Sequence, residues 1–193
     1  AYGRLADRTD VSWTSAYYSC RTNRVAILRD PREGPHRRSS EELLVRTARG
    51  GRDPNSPGWV SPGRLSGVDP ARLRHEAAHQ LAYNLGIQKR GVMYPLWVAE
   101  GLATSFETPD PPAGDVTHRP VSPRLADLVK ARRDGHLVSL AEFILLTRIP
   151  PEQQADGSVA YAQAWGTWQF LMRHRPHRLR RYLSTLSELP MGA

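Results

Sequence analysis

The run His75-Glu76-Ala77-Ala78-His79 constrains this chain more than any other feature. It lies in a stretch with helix punctuation at both ends. Asp69-Pro70 supplies an N-cap and a proline at the first helical position, and Gly86 follows as a stop. The pattern predicts a helix from this start to about Leu85. On such a helix the His75 and His79 imidazoles leave one face, about one turn apart, and can share one metal ion. Glu76 then lies beside the ion rather than on it, where its carboxylate can take a proton from a water held there. Imidazole nitrogen suits zinc, and zinc brings the pKa of its water to near 7.

Two histidines on a helix are by themselves an ordinary surface feature. A catalytic site wants three protein ligands and an open position. Glu100 lies 21 positions after His79, within Trp97-Val98-Ala99-Glu100-Gly101-Leu102-Ala103. Pro95 opens a second helix that ends before Pro109, and Gly86 with Gly91 lets the chain turn back. Two antiparallel helices joined this way aim Glu100, a charge among apolar neighbours, at the histidines. The expected ligand set is His75, His79 and Glu100 around one zinc ion, with Glu76 as general base.

The remainder of the chain divides in two. In residues 1–67 the segment Trp13 to Leu28 reads as a β-hairpin, with Tyr17, Tyr18 and Val25 to Leu28 as strand formers and a turn at Ser19 to Asn23. Ser40 to Ala48 reads as a short helix, and Gly50 to Gly67 as an irregular loop that could gate a cleft. Residues 68–193 read as helical. Ser122-Pro123 opens a third helix that Gly135 ends, and Ser139 with Glu142 forms a capping box for a fourth. A fifth runs from about Val159 to Arg175 before Pro176, and a last one from His177 to Leu186. The loop Thr108 to Val121 is proline-rich. Sheet first and helices after give an α+β fold in a single domain, 1–193. Leu73, Ala77, Leu81 and Leu85 recur at helical spacing and are expected in the core. Trp97, Leu102 and Phe106 would face them, and Trp165, Trp168, Phe170 and Leu171 form another core face.

Composition adds limits. The net charge is +8 and the pI about 10.2, carried almost wholly by arginine, since Lys89 and Lys130 are the only lysines. Such a charge permits a nucleic-acid partner, but no nucleic-acid motif accompanies it, so that reading ranks last. The cluster Arg173, His174, Arg175, His177, Arg178, Arg180 and Arg181 reads first as a solvated face. Cys20, the single cysteine, can form neither an internal disulfide nor a cysteine-based metal site. His36, His118 and His136 lack ligand spacing. No apolar run nears the ~20 residues of a membrane span, so none is expected. No signal peptide is visible at Ala1, which leaves export open.

The two motifs together resemble those of gluzincin, or peptidase-MA-like, zinc peptidases. The segment Trp97 to Ala103 is similar to the W-x-x-E-G-x-A pattern of the aminopeptidase-N type. Tyr161-Ala162-Gln163-Ala164-Trp165 resembles a segment of small, uncharacterised bacterial metallopeptidase-like domains. The resemblance implies a zincin-like fold, a peptide or protein substrate and an extracytoplasmic location. It also makes Tyr161 a candidate donor to the oxyanion, against a plain core aromatic. Substrate backbone would bind along an edge strand, a place the Asn23 to Leu28 strand could fill. There are departures. No G-x-M-E-N-like segment is present to grip a free amino terminus, which favours endopeptidase-like action. Where thermolysin-like enzymes carry an acid four residues after the ligand glutamate, this chain has Thr104; Glu107 is a candidate substitute, with a solvated position as its plainer reading. The rival is a degenerate zincin-like binding module, against which stands the full set of His75, Glu76, His79 and Glu100.

Overall fold

A computed structural model describes residues 16–27, 43–45, 69–108, 121–149, 153 and 157–190. Strands β1 (Ala16–Ser19) and β2 (Arg24–Ile27) pair antiparallel, Tyr18 opposite Val25. The turn between them closes on Asn23, whose φ of 56° is the left-handed conformation that asparagine tolerates. β2 also pairs antiparallel with β3 (Leu43–Val45), giving the order β1-β2-β3. Two sequence expectations change here. The Ser40 to Ala48 segment contributes a strand rather than a helix, because pairing with β2 overrides a weak local helix signal. The strand expected at Asn23 to Leu28 is β2 and is central, paired on both sides, so it cannot take a substrate strand; among the described strands β1 and β3 are the edges.

Among the described residues six helices follow: α1 (Pro70–Asn84), α2 (Leu96–Thr104), α3 (Pro123–Arg133), α4 (Leu140–Phe143), α5 (Ser158–His174) and α6 (Pro176–Glu188). Their start signals act as read. The Asp69 side chain accepts from the Ala71 N–H, Ser122 from Arg124 and Ser139 from Glu142. Gly86 and Gly135 follow α1 and α3 with φ of 75° and 73°. The mixed α+β class is therefore observed. No helix among the described residues is long and apolar enough to cross a membrane. The Gly50 to Gly67 loop, residues 109–120, His36 and His118 lie outside the described residues.

Two apolar cores flank α1. One joins the hairpin, through Ala16, Tyr18, Val25 and Ile27, to Leu73 and Tyr83 of α1. The larger is helical and includes Val98, Leu102, Phe143, Ala164 and Trp168. In it α2 lies directly on α5, with Gly101 at the contact: a Cβ there would sit 2.6 Å from the Ala164 carbonyl oxygen. The α2 start is fixed by the Leu96 N–H donating to the Leu146 oxygen, and the Gln163 side chain bonds both backbone groups of Val138. Trp97, Leu102 and Trp168 are buried as expected. Leu81, Leu85, Phe106 and Phe170 are not, at 54%, 71%, 55% and 56% exposure. α1 buries His75, Ala78, Gln80 and Ala82 instead, because its inward faces serve the site and the hairpin.

Candidate metal centre

Packing α1 against α2 brings His75, His79 and Glu100 together. The His75 Nε2 lies 3.1 Å from the His79 Nε2 and 3.1 Å from the Glu100 Oε2, and the His79 Nε2 lies 3.5 Å from that same oxygen. Three donors thus converge on one point, from two residues one turn apart on α1 and one residue on α2. These three can hold a metal ion. Their side chains are 11%, 13% and 20% exposed, dry enough to strengthen electrostatics and open enough to admit an ion. The sequence-predicted set is the set the fold assembles. Glu76, one residue along α1, lies beside the group, and the Tyr18 backbone N–H of β1 donates to its carboxylate.

A second ring of contacts holds the first. The His75 Nδ1 lies 2.9 Å from the Glu107 Oε1, in the turn after α2. Glu107 is buried, not solvated as its position in the sequence suggested. Both of its oxygens are engaged by Arg124 of α3, from Nε at 2.8 Å and Nη2 at 2.9 Å. The turn itself is pinned to α1, since the Arg74 guanidinium donates to the Phe106 and Glu107 carbonyl oxygens. With Nδ1–H held by Glu107, loss of the Nε2 proton would turn the His75 Nε2 lone pair toward His79 and Glu100, the tautomer a metal requires. Thr104 does not serve here: its hydroxyl donates to the Glu100 and Gly101 carbonyl oxygens within its own helix.

Residues 69–191 match the family model DUF1570, described as a protein of unknown function, which covers more than half of the chain. The chain belongs to the DUF1570 family. Its DUF1570 segment starts at the α1 N-cap and runs beyond α6, so it contains His75, Glu76, His79, Glu100, Glu107, Arg124 and Tyr161 but none of the strands. Neither a curated protein nor a solved structure matches the chain.

Within the DUF1570 segment the charges are strongly coupled. Burial works against ionised Glu100, but the His79 charge and the hydrogen bonds from both histidines outweigh it and hold its carboxyl well below the usual range. Burial likewise opposes the His75 imidazolium, yet Glu100 and Glu107 raise it to about 10 when no ion is bound. For Glu107 burial is outweighed by the hydrogen bonds from His75 and Arg124, which keep it ionised. Glu76 goes the other way: burial pushes its carboxyl up, against the opposing pull of His79 and His75. That is the direction a general base near neutral pH needs.

Tyr161 of α5 joins this group rather than the apolar core. Its ring meets His75 edge to face at 5.9 Å, and the Arg124 guanidinium lies 5.3 Å from its centroid. Burial, with the Glu100 and Glu76 charges adding to it, raises the phenol above its ordinary value, so it stays a neutral donor. Arg124 and Arg74 had no signal in the sequence, because each acts across a long separation with no motif spacing. His136 lies apart from the centre in the exposed turn after α3, and Cys20, the single cysteine, is half-buried in the hairpin turn.

Proposed function

We propose that this protein is a zinc-dependent peptidase of the gluzincin kind on a zincin-like fold, with endopeptidase-like action on peptide or protein substrates. The observation that carries this reading is the convergence of His75, His79 and Glu100 with Glu76 alongside. Three donors on a tetrahedral zinc with bonds of about 2.0–2.1 Å stand about 3.3 Å apart. The distances here, 3.1, 3.1 and 3.5 Å, fit that without rearrangement. Two imidazoles and one carboxylate also suit zinc better than a hard cation such as magnesium.

Zinc, when bound, makes water nucleophilic near neutral pH and polarises the scissile carbonyl. The chain's own groups do the rest. Glu76 takes a proton from the attacking water, whose oxygen bonds to the carbonyl carbon. It then delivers that proton to the amine as the carbon–nitrogen bond breaks. The Tyr161 phenol donates to the oxygen on which charge develops. Glu107 keeps the His75 ring in register throughout. Catalytic roles fall to Glu76 and Tyr161, and ligand roles to His75, His79 and Glu100.

Metal analysis of the purified chain beside His79→Ala tests the reading first. One zinc per chain, lost in the variant, is expected, followed by hydrolysis of unstructured protein substrates that Glu76→Gln abolishes. Zinc bound without hydrolysis would leave the degenerate binding module; no zinc after incubation with excess metal at neutral pH would end the peptidase reading. A second reading then takes its place. Arg173, Arg175, Arg178, Arg180 and Arg181 are exposed, and among the described residues none pairs with a carboxylate, as a polyanion-binding face requires. It predicts salt-sensitive nucleic-acid affinity.

A further inference from the structure

Arg124 belongs to neither zinc motif, yet it touches two parts of the centre at once. Its guanidinium engages both Glu107 oxygens, at 2.8 and 2.9 Å, and one of these, Oε1, also meets the His75 Nδ1 at 2.9 Å. Its Cζ lies 5.3 Å from the Tyr161 ring centroid, and that ring meets His75 at 5.9 Å and 81°. The contacts close on themselves: His75, Glu107, Arg124, Tyr161 and back to His75. We propose that Arg124 is a positioning residue for the metal centre, acting on His75 through Glu107 and setting the Tyr161 ring against it. The inference rests on the zinc reading above and names what keeps that site in shape.

The physical case is orientation. A carboxylate held at one oxygen can pivot about its Cδ; held by a planar fork at both, it cannot. The plane of Glu107 is therefore set by Arg124, and the His75 ring is set by Glu107. Arg124 is itself well fixed. It is the second residue of α3, its N–H bonds the Ser122 cap, and its Nη1 lies 3.9 Å from Asp127. α3 is in turn seated on α5, the helix that carries Tyr161; a Cβ on Gly166 would lie 2.6 Å from Leu128 Cδ2. A buried ion pair is a poor source of net stability compared with apolar packing of the same volume. Its worth here is in fixing a geometry. A lysine would keep the charge, but it would lose the fork.

The test uses the full chain with Arg124→Met, Arg124→Lys and Glu107→Gln. Zinc affinity is measured by competition with a chelator, and the visible spectrum is recorded after cobalt(II) substitution. Melting of the metal-free chains checks folding. Arg124→Met is expected to lose ten- to a hundredfold in zinc affinity and to change the cobalt spectrum, with Arg124→Lys recovering only part of the loss. Arg124→Met combined with Glu107→Gln should cost no more than the worse single change, because both act through one contact. Zinc affinity within twofold of wild type and an unchanged cobalt spectrum in Arg124→Met would overturn the proposal, as would full additivity in the double variant. Should Arg124→Met not fold, Arg124→Lys carries the test, and wild-type affinity and spectrum there count equally against it. Failure of the wild-type chain to bind zinc would instead strike the zinc reading itself.

Discussion

Gly101→Ala tests the α2–α5 contact on which Glu100 depends, and the sign of its effect is the informative part. In an ordinary helix interior, glycine to alanine gains about 1 kcal/mol. Here the new Cβ would stand 2.6 Å from the Ala164 carbonyl oxygen and 2.7 Å from the Trp168 Cβ, where ordinary contact begins at 3.4 Å. Each contact therefore falls short by about 0.7–0.8 Å. Neither atom can swing aside, since one is backbone and the other is fixed to it. The two helices must move apart or slide, opening a contact that buries Leu102, Ala164 and Trp168. Overpacking of this kind costs about 1–3 kcal/mol, and the fixed neighbours put it at the upper end. After the helix gain the net loss is about 2 kcal/mol, or roughly 4–8 °C in melting temperature for a chain of this size. Urea denaturation of the chelator-treated protein reads the first effect. Zinc affinity reads the second, which should fall because Glu100 shifts with its neighbour. A variant more stable than wild type by about 1 kcal/mol would refute the close-packing account.

Other expectations follow from the same geometry. Tyr161→Phe keeps the ring against His75 but removes the phenol oxygen; peptide hydrolysis should fall about 10²–10³-fold with zinc content unchanged, and an unaltered rate would remove Tyr161 from the chemistry. Arg90 donates to the Cys20 oxygen and to the Asn23 and Asn84 side chains, so Arg90→Ala should loosen the hairpin by about 1 kcal/mol. Faster amide exchange across Ala16–Ile27, with α5 unaffected, would show it. In the metal-free chain the His75 pKa rises from 6.5 to about 10 on folding. The stability this contributes is complete below pH 6.5 and is lost as the pH climbs toward 10. Denaturation of chelator-treated protein across that window should therefore show falling stability, and His75→Gln should lose that part of the slope; a His75→Gln profile as steep as wild type would contradict the assignment.

What was legible in the sequence was local. Caps at Asp69, Ser122 and Ser139 and the glycines at 86 and 135 fixed the helix ends, because each acts within four residues of itself. The trio His75, His79 and Glu100 was legible for a related reason: i, i+4 spacing and a short return leave little freedom for where the three can meet. Glu107 was harder. It sits in a turn beyond α2, where a carboxylate is usually solvated, and its burial is made tolerable by His75 and Arg124, both distant in sequence. The strand at Leu43–Val45 was missed because its cause is a partner strand, not its own residues.

The failure of the apolar stripe on α1 has a cause that bears on the site itself. A helix that merely covers a core can devote one broad face to leucine. α1 has more to satisfy. His75 and His79 point at α2, Gln80 reaches the Asn23 carbonyl oxygen, and Arg74 holds the turn after α2. Glu76 lies where these directions meet, with the metal group on one flank and the β1 backbone on the other. Its near faces are thus taken by polar residues with named partners, and Leu81 and Leu85 are left to the outer side. The helix is held less by its own amphipathicity than by the partners its polar residues find. On that account the exposure of Leu81 and Leu85, despite their regular apolar spacing, is itself a trace of the site.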